Sequence, residues 1–144
     1  MCQDKLTPER NNKVSRYKIR EQAFFLIFES LFSDSDIDEL ADNAGDARDD
    51  FLSEDAICRA KGVREHQDEI DEKISENLKE GWKITRISKI SLALLRLAIY
   101  EMMFDDSIPV SVSINEAVEL SKKYTTEDDA AFVNGVLGAV AKSL

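Results

Sequence analysis

The side chains with the clearest chemical potential in this chain are Lys13, Arg16, Tyr17, Lys18 and Arg20, near the N-terminus. A guanidinium offers two parallel donors to a phosphate, and both arginine and tyrosine stack on unpaired bases. Arg16 and Arg20 are spaced to be neighbours on one helix face, with Lys13 one turn earlier. The competing account is an ordinary solvated helix start. Helix electrostatics weigh against that account, because the positive end of the helix dipole disfavours cations in the first turn. The charge distribution points the same way. The chain carries a net −10, yet residues 1–20 hold six basic and two acidic residues, while the remaining 124 hold 13 basic and 27 acidic. This is the signature of a small basic patch on an acidic body, and a patch of that kind binds phosphate.

Nothing comparable points to catalysis. Asp34, Asp36 and Asp38 resemble the opening of a calcium loop, but the sixth position is Glu39 rather than Gly and the twelfth is Gly45 rather than Glu. A helix-capping acidic cluster is the better reading. The single histidine, His66, lies in a charged stretch and reads as a solvated surface residue, with no second His or usefully spaced Cys to complete a zinc site. There is no phosphate-cradling glycine loop and no serine nucleophile elbow. Carboxylates are so common that no pair stands out as an acid/base couple. The residues therefore give no positive evidence for catalysis, and no metal or cofactor is expected.

The elements that must position the basic cluster are helices. Gly (5) and Pro (2) are scarce, and apolar spacing follows a helical period wherever it is legible. Residues 1–12 read as a flexible leader. A helix from about Val14 to Phe32 carries Ile19, Ala23, Phe24, Ile27, Phe28 and Leu31 at helical spacing. A short, weakly patterned helix follows from Asp36 and stops near Gly45. Ser53 begins a longer segment through Ile70, Ile74 and Leu78, with a break possible at Gly62 and Gly81 as its C-terminal glycine. A strongly apolar helix starts near Thr85 and ends at Ser107-Ile108-Pro109. Ser113 and Glu116 have capping-box spacing for the next helix. Thr126 with Asp129 starts the last one, which carries Phe132, Val133, Val136, Leu137 and Val140. Gly135 and Gly138 share a face there and suggest close helix–helix packing. The fold class is all-α, with six or seven helices.

A chain of 144 residues is one ordinary domain, long enough to bury roughly 68–70% of its unfolded surface. Cys2 and Cys58 form no motif, so no structural disulfide is expected and the reducing cytosol is the natural compartment. The first twenty residues lack the apolar run of a signal peptide. The longest apolar stretch, Ile90 to Tyr100, is too short to span a bilayer.

Two further stretches carry a family resemblance. Ser15-Arg-Tyr-Lys-Ile-Arg-Glu-Gln-Ala-Phe-Phe-Leu-Ile-Phe28 resembles the opening helix of the NusB family of bacterial transcription antitermination factors. Leu94-Leu-Arg-Leu-Ala-Ile-Tyr-Glu101, Ile114-Asn-Glu-Ala-Val-Glu-Leu120 and Phe132-Val-Asn-Gly-Val-Leu137 resemble its C-terminal half in order and spacing. The likeness runs from about residue 14 to the end and is weak over 34–60. It implies two three-helix subdomains, which on this chain fall at about 13–82 and 83–144. It implies binding of boxA-type single-stranded RNA from ribosomal-RNA transcripts together with NusE, a ribosomal small-subunit protein, in an RNA polymerase antitermination complex. The RNA surface carried over by resemblance maps to Arg16, Lys18 and Arg20 and, at the last helix, to Asp128 and Phe132. The protein-partner surface maps to Phe28, Ser91 and Leu92; Ser91 and Leu92 stand where family members often have charged residues.

Two other functions compete. NusB-like domains also precede ribosomal-RNA cytosine methyltransferase domains, but here the chain reaches Leu144 soon after FVNGVL with no catalytic domain following. A protein-only adaptor would use the acidic body rather than the basic cluster.

Overall fold

The computed structural model describes residues 15–47 and 52–144, the side chains of 44–47 excepted. The leader and Lys13 lie outside the described residues. Among the described residues there are seven α-helices, one 3-10 turn and no strand: α1 (Arg16–Ser30), α2 (Ile37–Ala47), α3 (Glu54–Glu65), α4 (Gln67–Glu76), the 3-10 turn Ile84–Arg86, α5 (Lys89–Phe104), α6 (Val110–Tyr124) and α7 (Glu127–Ser143). The chain divides between Glu65 and His66 into two compact units.

In the first unit each helix begins at a polar cap. The Ser15 hydroxyl accepts from the Lys18 amide at 3.1 Å, Asp36 from Glu39 at 2.9 Å and Ser53 from Ala56 at 3.0 Å. The acidic cluster at 34–38 thus includes a helix cap, as its composition suggested. α1 packs on α3 and α2. From Ile19 to Phe24 it is buried on every side, so polar residues are inside with the apolar ones. Gln22 shows how one of them is satisfied: its Oε1 accepts the Ser53 backbone amide at 3.0 Å, fixing the start of α3 against α1. Ala56 and Ala60 are fully buried, and their small side chains let α1 come close.

The long segment after Ser53 breaks at His66, not at Gly62, which is a buried position within α3. α4 therefore begins the second unit, and the division falls well before the boundary near Trp82 suggested by sequence. The reason is tertiary. Ile70 and Ile74 are fully buried, and Asp71 binds Arg96 of α5 through two hydrogen bonds of 2.8 Å. Among the described residues the second unit accordingly has four α-helices and the first unit three. α5 lies at its centre, packed on α4, α6 and α7, and is buried continuously from Ser91 to Ile99. An all-round apolar helix of this kind belongs in the interior.

Several local expectations change. Pro109, not Ser113, caps α6, and Ser113 lies one turn inside the helix. It is buried, and its hydroxyl donates to Oε1 of the fully buried Glu101 at 2.9 Å. Ser113→Ala removes a donor from a buried carboxylate and is expected to cost about 1–3 kcal/mol, read from the urea unfolding midpoint. Gly81 is not a helix C-terminal residue. α4 ends at Glu76, and Gly81 takes φ +87° in the Lys79–Trp82 turn, closed by the Trp82 amide on the Lys79 carbonyl at 3.0 Å. Gly135 and Gly138 do sit inside α7, but a Cβ at either would meet nothing within 4 Å, so they mark no close helix approach. Thr126 caps α7 as expected, accepting the Asp129 amide at 3.1 Å. Cys58 is disulfide-bonded, against the expectation of no disulfide; spacing along the chain does not show whether two distant thiols come within bonding distance.

Candidate nucleic-acid interface

In the first unit Arg16, Tyr17 and Lys18 are exposed at the start of α1. The capping bond from Ser15 holds that first turn, and the Tyr17 hydroxyl reaches Glu21 Oε2 at 3.4 Å, which steadies the ring on the surface. Arg16 makes no ion pair among the described residues. Arg20 corrects the expected patch. It is only 5% exposed and has partners within the protein, so it cannot present a guanidinium to an RNA phosphate. Four-residue spacing made it a neighbour of Arg16, but α1 passes from a one-sided to a fully enclosed environment within that single turn. At the other end of α1, Phe28 is half-buried. Its ring lies 6.2 Å from Phe24 and 5.1 Å from the exposed Phe32, the latter edge-on at 73°.

In the second unit Asp128 is exposed in the first turn of α7, and Thr125 hydrogen-bonds the Asp129 carboxylate beside it. Phe132 follows one turn later. It is half-buried, neither plain core nor fully exposed, and its ring centroid lies 5.7 Å from that of Trp82, inclined at 31°. Trp82 is the functional candidate that the sequence reading missed. It is the chain's single tryptophan and remains 48% exposed. The available signal was its position between Lys79 and Lys83, directly after a glycine.

Ser91 and Leu92 do not form the expected partner surface. They are 1% and 6% exposed on α5, facing the interior, because that helix is enclosed on all sides. His66 is also less solvated than expected. Its Nδ1 lies 3.1 Å from Glu69 Oε1, and its ring stacks on Phe104 at 4.1 Å and 27°. Among the described residues no group of three or more His, Cys, Asp or Glu side chains could hold a metal ion, and no helix is long and apolar enough to cross a membrane.

The fold defines an all-helical protein that leaves the cations of its first α1 turn and the ring of Trp82 exposed. It belongs to the NusB family, whose profile matches residues 17–142. A transcription antitermination protein NusB of Clostridium botulinum (strain Kyoto) is 43% identical over an alignment of 141 positions that covers 87% of this chain and 98% of that relative. Among solved structures, NusB of T. maritima superposes with a TM-score of 0.79 at 35% identity, covering 90% of this chain and 92% of the other. A second similar structure holds the antitermination factors NusB and NusE in complex with double-stranded RNA. It matches with a TM-score of 0.78 at 26% identity over 91% of this chain and all of the other.

Proposed function

We propose that this protein is an RNA-binding transcription antitermination factor that takes boxA-type RNA together with NusE and acts within an RNA polymerase complex in the bacterial cytoplasm, without catalysing a reaction. The observation that carries the reading is the exposed Arg16-Tyr17-Lys18 turn at the positive end of α1. A cation placed there is disfavoured by the helix itself and becomes favourable when a phosphate arrives. The solved complex of NusB and NusE with double-stranded RNA supports NusE and RNA as partners. Asp128 and Phe132 are the contribution of α7, with Phe132 offering a ring to an unpaired base. Phe28, beside the exposed Phe32, remains the candidate contact for the protein partner. Arg20, Ser91 and Leu92 are left out because they are buried.

The deciding experiment is a titration of boxA-type RNA with and without NusE. With Lys13, Arg16 and Lys18 each neutralising one phosphate of a single strand, they alone should set a slope of log K against log salt of about −2. A salt-independent affinity would assign these residues to solvated surface. Binding of NusE with no RNA binding in either arm would favour a protein-only adaptor.

Phe132→Ala separates a binding ring from a core ring. Loss of a base stack, worth roughly 1–3 kcal/mol, should lower RNA affinity about tenfold. Val133, Val136, Leu137 and Val140 remain buried and keep α7 in place, so the melting temperature should move only slightly. A fully buried phenylalanine would instead cost roughly 3–5 kcal/mol of stability. Both measurements belong on the same variant. A large stability loss with RNA affinity intact at low temperature would return Phe132 to the core.

A further inference from the structure

We infer that the Lys79–Arg86 segment is a second RNA-contacting element, with Trp82 as a base-stacking platform backed by Phe132 and with Lys79, Lys83 and Arg86 holding the adjoining phosphates. This rests on the RNA-binding reading above and extends it to residues that the resemblance did not bring forward.

Three observations on the second unit carry it. The first is the ring pair. Trp82 lies against Phe132 at 5.7 Å yet leaves nearly half of its surface to solvent, 48%. A tryptophan supported by another ring and open to water is a ready stacking partner, and stacking on it tolerates any base because every base has a π-face. The second is charge. Between residues 79 and 86 there are three basic residues and one acidic one, Glu80, in a chain of net −10. Lys79, Lys83 and Arg86 are all exposed, and none makes an ion pair among the described residues. The third is order. The turn closed by the Trp82 amide on the Lys79 carbonyl, with Gly81 at φ +87°, holds the indole. The 3-10 turn that follows, with the Arg86 amide donating to the Lys83 carbonyl at 2.9 Å, fixes the cations behind it. Cations that track a backbone around rings that take bases are the working parts of single-strand binding surfaces. An acidic protein segment could meet the same cations, but its carboxylates bring no aromatic face to stack on the indole. Phe132, already assigned to RNA, makes the platform continuous with the α7 contact.

Trp82 is the only tryptophan, so its emission reports on this site alone. The intact protein is titrated with fluorescein-labelled boxA-type single-stranded RNA in the presence of NusE, following RNA anisotropy and, with unlabelled RNA, tryptophan emission. Quenching of Trp82 should saturate with the anisotropy curve. Trp82→Ala should weaken binding roughly five- to a hundredfold, while Trp82→Phe, which keeps a ring and guards against a folding defect, should retain most of the affinity. Lys83→Ala combined with Arg86→Ala should make the salt slope shallower by about 1.4. Suppose RNA binds in an Arg16-dependent manner, but Trp82 emission stays unchanged and all these variants bind like the parent. The platform is then overturned and the RNA-binding reading stands. If the parent binds no RNA even with NusE, the reading itself fails and the platform with it. If Trp82 emission responds to NusE alone and not to RNA, the segment is a protein contact and the inference is overturned.

Discussion

Asp71→Ala is expected to destabilise the second unit by about 3 kcal/mol, the low end of the range for breaking a buried ion pair. Asp71 Oδ1 and Oδ2 accept from Arg96 Nε and Nη2, both at 2.8 Å. The Arg96 side chain is 8% exposed and that of Asp71 27%. Removing the aspartate therefore strands a guanidinium that water reaches poorly, on the helix at the centre of the unit. The partial exposure of Asp71 holds the cost to the low end, since the pair is already screened on one side. Urea unfolding followed by Trp82 emission reads the second unit directly. The control is the double change Asp71→Ala with Arg96→Met, which removes the stranded charge and keeps an unbranched apolar side chain. It should recover a large part of the loss. A loss below about 1 kcal/mol in the single variant would show the pair to be worth no more than a surface salt bridge.

Arg16→Ala is expected to weaken RNA binding by roughly 1.5–3 kcal/mol, a factor of about ten to 150, if the guanidinium makes direct charge-assisted contacts to phosphate. The residue is exposed in the first turn of α1 and carries no apolar load, so the urea midpoint should stay within about 0.5 kcal/mol of the parent. Arg20→Ala is the contrasting case. Its side chain is buried among the polar and apolar residues that surround α1, and removing it should cost about 1–3 kcal/mol of stability and leave the RNA affinity of the folded protein unchanged. Filter binding at two salt concentrations, paired with thermal melts, distinguishes the two arginines. Equal RNA defects in both would mean that Arg20 reaches the ligand after all. An unaltered affinity in Arg16→Ala would remove α1 from the interface.

The helices themselves were legible in the chain. Local effects decide them: apolar residues at helical spacing, few breakers, and caps such as Ser15, Asp36, Ser53 and Thr126, each of which accepts from a nearby amide. Family membership was legible for a related reason, because short strings such as LLRLAIYE and FVNGVL keep their order and spacing whatever surrounds them. The exposed Arg16-Tyr17-Lys18 turn could be read from charge working against the helix dipole.

What sequence periodicity could not separate was which faces are covered. Helical spacing places Arg16 and Arg20 together, capping-box spacing makes Ser113 look like a cap, and the family resemblance puts Ser91 on a partner surface. Each of those assignments depends on a neighbour far away in the chain. Arg20 lies where α1 becomes enclosed, Ser113 sits under Glu101, and Ser91 faces inward on a central helix. Trp82 is the reverse case: its exposure and its support by Phe132, fifty residues later, arise only when a turn and a distant helix meet. The residues of this chain determine by themselves that it is helical, where several of its helices start and which family it belongs to, because those are properties of neighbours along the chain. Which cations and rings reach solvent, and so could touch RNA, was decided by tertiary packing, because burial is a property of neighbours in space.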